Sequence, residues 1–451
     1  MVNAIYRELA IASSHFDEES FERAAYHIKV VHSLLAESQH QMGLNHHDLQ
    51  LRLLKISAQL MIRGKGNFSL QTILNESIKL LHSTEIWAQP DLYLLAIQLV
   101  EVIGPLLMYA GRVSDALLAY QRVNELFTAG GIDLLVNSTV SVGNVVIMQG
   151  TCLSQLDRWR EAVEVYSKAK ILLSHAEVRD YAIASGSFSA LERNCGLALF
   201  QLEMFPESIN AYELAIRMTQ NESDLNPANK LCRIAELKAR IGLSYAMLGR
   251  HDKSIDACKS AISTVSRDAS VLDAKRNTTL SECFSIKGRC LLIAGDIRGA
   301  LSSYKESLKG LEHQSVVGQT SYDKRRFTVL VDIAQCNSLL NNHQQAFSTL
   351  EAAEDLLHES DYLRRKRYDL LRADFAILLG NIAMKLGNPR AALSAWIEAC
   401  RYYNSVAQLI PASQTKYSRL LVAMTDHLSL MSNAQPWALS SSDRLIEILD
   451  L

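Results

Sequence analysis

Residues 240–261 read RIGLSYAMLGRHDKSIDACKSA, with Gly242 followed by Gly249 at offset +7, Ser254 at +12, Cys258 at +16 and Ala261 at +19. The same arrangement recurs every 46 residues. The marker position holds Gly104, Gly150, Gly196, Gly242, Gly288, Ala334 and Gly380, small in every case. At +12 stand Ala116, Ala162, Ser208, Ser254, Ala300, Ala346 and Ala392, again all small. At +16 the residues are mostly large: Tyr120, Tyr166, Tyr212, Cys258, Tyr304, Leu350 and Trp396. Offsets +12, +16 and +19 share one face of a helix, so they describe a second helix packed against a first that carries the marker. Between the two, the +7 row reads Gly111, Asp157, Glu203, Gly249, Gly295, Asn341 and Gly387, a composition suited to a left-handed residue closing a helix. Pro206 and Pro389 follow at the expected start of a second helix, where a missing N–H costs little. Polar segments such as TQNESDLNPANK and HQSVVGQTSYDK separate one hairpin from the next.

The register extends backwards to Ala58 with Leu70, Leu74 and Ser77, then to Ala12 with Ala24, Ile28 and Val31. These two units are degenerate, as terminal repeats often are. The expected organisation is therefore degenerate repeats over 1–90, seven units over 91–410, a capping helix over 411–433 and a tail over 434–451. Gly104-Pro105 falls inside an expected helix, where proline removes a backbone hydrogen bond and favours a kink.

The pattern resembles the tetratricopeptide repeat, W-x2-L-G-x2-Y followed by Ala, an aromatic and Ala over two antiparallel helices. The unit here is 12 residues longer than the usual 34, which places it nearest the long-unit branch that includes kinesin light chains. The resemblance implies an all-α fold, a right-handed α-solenoid of tandem helix pairs whose first helices line a concave groove at offsets -6, -3, -2, +1, +4 and +5.

The chain has 451 residues with 46 Lys+Arg against 48 Asp+Glu, a net charge of -2 that provides no bulk attraction for nucleic acid or anionic lipid. Charged residues within the first 20 positions interrupt the apolar core that a signal peptide needs. The stretch from Asp91 to Gly111 is long and apolar, but Glu101 would lie near a bilayer centre, so a buried helix is expected there instead of membrane insertion. Eight cysteines occur without C-x-x-C spacing, inside apolar helical patterns; they read as reduced core residues of a cytosolic or nuclear protein.

No phosphate-binding glycine loop, H-E-x-x-H or G-x-S-x-G pattern is present, so no catalytic residue, metal or cofactor is assigned. His40 with His46-His47-Asp48 reads as a solvated loop. On the implied groove face stand Asn144, Arg193, Asn194, Glu236, Arg240, Glu282 and Arg289, with Asp332 beyond them. Glu236 and Arg240 have i,i+4 spacing and can pair along one helix. Alternatively, Arg193, Asn194, Arg240 and Arg289 form a strip for an acidic segment, since arginine binds carboxylate bidentately. Asn381 is the only asparagine at +1, and with Ile377 where a lysine would be needed the chaperone-tail clamp of the family is missing. Lys324-Arg325-Arg326 and Arg364-Arg365-Lys366-Arg367 recur in successive units, either as a patch for phosphate or an acidic partner or as solvated helix starts.

These readings imply a non-enzymatic adaptor that holds an acidic, extended or helical segment of a protein partner in its groove. The competing expectation is an obligate structural subunit of a multiprotein complex.

Overall fold

The computed structural model describes residues 2–17, 20–38, 46–63, 69–87, 89–128, 136–266, 272–313, 316, 322–360, 363–364 and 368–407. The expected capping helix and tail lie outside these residues. Among the described residues there are twenty helices and no strand. The chain divides into two compact units, residues 1–198 and 199–451.

In the first unit, α1 (Val2–Asp17) pairs with α2 (Phe21–Ser38), and α3 (His46–Ile62) with α4 (Leu70–Leu81). A short α5 (Thr84–Trp87) follows, then α6 (Pro90–Tyr109) with α7 (Val113–Thr128) and α8 (Val136–Gln155) with α9 (Trp159–Leu173). The spacing of small and apolar residues read from the sequence places the core of both N-terminal pairs. Ala12, Ala24, Ile28, Val31, Ala58, Leu74 and Ser77 are all fully buried, while Leu70 is half-buried. The apolar stretch beginning at Asp91 is α6, which packs against α3, α4, α7 and α8 and buries Ala96, Leu99, Val100, Ile103 and Leu107. It runs without interruption through Pro105. Gly104 serves Tyr120, because a Cβ there would lie 2.0 Å from the tyrosine oxygen.

One local feature escapes the register. The segment ahead of the third marker forms its own helix, α10 (Ala176–Ala184), separated from α11 (Ser187–Gln201) by Gly186 at φ 81°. That left-handed turn, which glycine adopts without steric cost, breaks what the 46-residue unit would otherwise make one long first helix.

Within the second unit, α12 (Phe205–Asn221) is followed by α13 (Pro227–Met247) with α14 (His251–Ser266), and α15 (Asp273–Ile293) with α16 (Ile297–Leu311). Then come α17 (Tyr322–Leu339) with α18 (His343–Glu359) and α19 (Asp369–Lys385) with α20 (Pro389–Ala407). Pro206 and Pro389 lie in the first turns of α12 and α20. The expected breaker segment TQNESDLNPANK is mostly helical: α12 continues to Asn221 and α13 starts at Pro227, where Asn226 Oδ1 accepts the Asn229 N–H at 2.8 Å.

Two devices set the hairpins. All seven +7 residues have positive φ: Gly111, Gly249, Gly295 and Gly387, and also Asp157, Glu203 and Asn341 at 59°, 62° and 60°. The next residue donates its N–H five residues back in every case, from Arg112 to Leu107 O at 2.8 Å through Asn388 to Ala383 O at 2.9 Å. That is the Schellman closure, and its hydrogen bonds hold non-glycine residues in a conformation costing about 1–2 kcal/mol. The second device is the contact between marker and +16. A Cβ on Gly150 would come within 2.4 Å of Tyr166, on Gly288 within 2.8 Å of Tyr304 and on Gly380 within 2.4 Å of Trp396. Where the partner shrinks to Leu350, the marker grows to Ala334, and both stay fully buried. The +12 and +19 rows are buried in all seven units. All eight cysteines are unbridged; seven are buried and Cys195 is half-buried.

Candidate functional site

A 46-residue period places equal offsets at the same height on successive first helices. In the second unit these are α13, α15, α17 and α19. The charged residues expected on this face are present there, but bonded to one another. Arg240 Nη2 lies 3.2 Å from Glu282 Oε1 on the following first helix, and Arg325 Nη1 lies 3.5 Å from Glu282 Oε2 and 3.4 Å from the Thr278 carbonyl. Glu282 thus ties α13, α15 and α17 together. The ion pair of Arg240 with Glu282 runs between repeats, while Glu236, four residues before Arg240 on the same helix, also stabilises its charge. Burial works against the Arg240 charge, and Glu282, Tyr212 and Glu236 more than offset it, raising its pKa above the ordinary value.

Arg289 on α15 is more open, with 47% of its side chain exposed and Nη2 3.9 Å from Asp332 Oδ2. Asp332 is the unusual member. Its Oδ2 is buried without a hydrogen bond, and burial pushes its pKa to about 6 against the pull of Arg289. Arg193 and Asn194 belong to α11 in the first unit. There Asn194 Nδ2 donates to Thr151 Oγ1 at 3.2 Å and Arg193 Nε to Asn194 Oδ1 at 3.4 Å. Asn144 is half-buried on α8, and Asn381 is exposed on α19. The structure therefore groups Arg240, Glu282 and Arg325 in one network and Arg289 with Asp332 in a separate pair, so that each of these arginines faces a carboxylate of its own chain.

The described basic residues are similarly engaged. Lys324 lies over the Tyr368 ring at 5.5 Å, Arg326 lies 3.9 Å from Glu312, and Arg364 donates to the His358 carbonyl at 2.8 Å. Arg365, Lys366 and Arg367 lie outside the described residues. No group of three or more metal-ligating side chains occurs among the described residues.

What the polar reading overlooked is apolar. At +5, one of the groove offsets, the second unit presents Met247, Ile293 and Leu339, exposed by 45%, 43% and 49%. Gln201 precedes this row and Lys385 ends it, with its Nζ 3.3 Å from Ser338 Oγ. The signal was legible in the sequence as three successive apolar residues at a position that faces outward.

Helix pairs closed by a left-handed +7 residue, with a small marker seated against a large +16 residue, define the class: an all-helical array of 46-residue hairpin repeats, similar to the tetratricopeptide repeat. No family model matches the chain. Protein KINESIN LIGHT CHAIN-RELATED 3 of Arabidopsis thaliana is 30% identical over 167 residues, 36% of this chain and only 23% of that protein's length. Among solved structures, the apo quorum sensor NprR from B. thuringiensis is similar at TM-score 0.44 and 13% identity, over 94% of this chain and 98% of that one. A Rap protein complexed with Competence and Sporulation Factor gives TM-score 0.44 and 13% identity, over 91% and 100%. BtubC from P. vanneervenii gives 0.41 and 14%, over 56% and 91%. Likenesses at this level bear on neither the shape nor the ligands of this chain.

Proposed function

We propose that this chain is a non-enzymatic protein-interaction adaptor whose second unit holds a segment of a partner protein against the first-helix face of α13, α15 and α17. The observation that carries this reading is the apolar row Met247, Ile293 and Leu339, half-exposed on three successive helices. Neighbouring helices pack about 8–10 Å apart, so the row spans about 20 Å. A helical segment with apolar residues seven positions apart advances about 10.5 Å per step and meets each of the three in turn. The partner is held mainly by apolar anchors, because Arg240 and Arg325 are already engaged by the Glu282 carboxylate they share. Arg289 and Lys385 remain available to an acidic residue at the rim. Sequence likeness to a kinesin light chain-related protein points the same way. Eight unbridged cysteines fit a reducing compartment, cytosolic or nuclear.

The test replaces Ile293 by a photo-crosslinking residue in the full-length chain and identifies the attached partner by mass spectrometry. Ile293→Asp should then weaken that partner at least about tenfold, as loss of a central anchor does, with helicity unchanged. Leu272→Asp, at the start of α15, is the control and should leave affinity unaltered. Full affinity of the Ile293→Asp protein would reject this face as the binding surface.

A further inference from the structure

A second concavity lies away from that row, where α18, α19 and α20 meet. It encloses about 120 Å³, with an apolar floor of Leu357, Phe375, Ala376 and Leu379. It exists because α18 touches α19 less extensively than α14 touches α15 or α16 touches α17. Sequence register explains the opening. At +20 the two preceding repeats carry Ile262 and Leu308, both packed into hydrophobic clusters. The equivalent residue on α18 is Glu354. A carboxylate thus stands where the three preceding repeats place Ile216, Ile262 and Leu308, in a row that also holds Asn124 and Lys170 in the first unit.

The charges around the cavity are unequally satisfied. Arg372 bonds through Nη2 to Asp369 Oδ1 and stacks 4.5 Å from the centre of the Tyr402 ring. Arg364 donates to the His358 carbonyl, and Tyr402 donates to Glu398 Oε1 at 2.7 Å. Glu354 has no hydrogen bond or ion pair among the described residues, although it lines the cavity and is half-buried. Burial raises its pKa against the pull of His358, and Glu398, Asp355 and Glu351 add to the rise, so the field at this wall is negative.

We propose that this crevice receives an arginine side chain of a protein partner, its guanidinium held between Glu354 and Glu398 and its methylenes on Leu357, Phe375 and Leu379. The unpartnered Glu354 calls for a cationic donor. A guanidinium fits better than an ammonium because it is planar, weakly hydrated and able to donate to two carboxylates at once. Arg372, also in the lining, is already paired with Asp369 and stacked on the Tyr402 ring, so its charge is offset within the site. Glu354 costs the array an apolar contact, and the incoming methylenes restore it.

The experiment titrates full-length protein with N-acetyl-L-arginine amide by calorimetry, with the citrulline and lysine amides as comparison probes and acetate as an anionic one. Saturable binding of the arginine probe is expected, at least about tenfold weaker in Glu354→Gln, Glu354→Leu and Glu398→Gln. Without probe, Glu354→Leu should unfold at the same or a higher temperature, which separates loss of the site from loss of the fold. No saturation in the wild type, undiminished binding in all three variants, or preference for acetate overturns the proposal. Equal binding of citrulline overturns the charge argument, and equal binding of lysine overturns the assignment to guanidinium.

Discussion

Leu308 on α16 and Glu354 on α18 stand 46 residues apart at one register position, and the crevices beneath them differ in kind. Below α16 the space is filled: Leu308 joins clusters with Leu311, Val329, Leu330 and Ile333. Below α18 a cavity opens, walled by Glu354 and Tyr402. Register is the same in both, but the α18–α19 contact is less extensive than that of α16 with α17, and a carboxylate stands at the row where Leu308 fills the other junction. The marker, +12 and +16 rows that build the hairpins are held by steric contact, and the +7 row by a backbone hydrogen bond that admits Asp157, Glu203 and Asn341 beside glycine.

The strongest way to break this contrast is to exchange the two residues separately. Leu308→Glu should destabilise the protein by about 3 kcal/mol, by removing packed methylenes and placing an uncompensated carboxylate in a filled junction. Glu354→Leu should do the opposite, adding about 1 kcal/mol. Chemical denaturation of both variants checks the pair, and equal losses would mean the two crevices are equivalent.

A somewhat smaller effect concerns a carboxylate that resists ionisation. Asp332 has a folded pKa near 6 against an ordinary value of 3.8, raised by burial and opposed by Arg289. The folded state therefore binds this proton more tightly than the unfolded state. Stability from this group is fully present below about pH 4 and is lost as pH rises to about 6, by about 2–3 kcal/mol. Asp332→Asn should remove that decline and leave the variant more stable than wild type at pH 7, measured by unfolding at pH 4.5 and pH 7. A wild-type slope retained in the variant would assign it to other groups.

The smallest effect concerns the turns. Glu203 is exposed with φ 62°, a conformation glycine adopts without penalty, so Glu203→Gly should stabilise by about 1 kcal/mol. Gly249→Ala, at the same offset in the next unit, should cost a similar amount. A neutral result at Glu203 would show that its side chain compensates for the strain.

Much of the fold was legible because it rests on contacts within about 20 residues of each marker. The small marker, the left-handed +7 residue and the large +16 residue can each be read along the chain, and local geometry leaves them few alternatives. Even the degenerate pairs around Ala12 and Ala58 bury the expected residues. The break at Gly186 was not legible, since nothing in the period marks one first helix as split.

The sequence by itself determined the all-helical repeat and its 46-residue period, because each depends on residue size and backbone preference at fixed spacing. Only the tertiary structure decided which of the outward charges remain unsatisfied. Arg240 has a carboxylate four residues away on its own helix, and stacking of the next first helix brings a second, Glu282, 42 residues on, within 3.2 Å. Glu354 has acidic neighbours and no such partner, because the α18–α19 junction is too open to supply one. Whether a charged side chain acts as a strut or as a site depends on what the neighbouring repeat sets opposite it, and that is a property of packing between units.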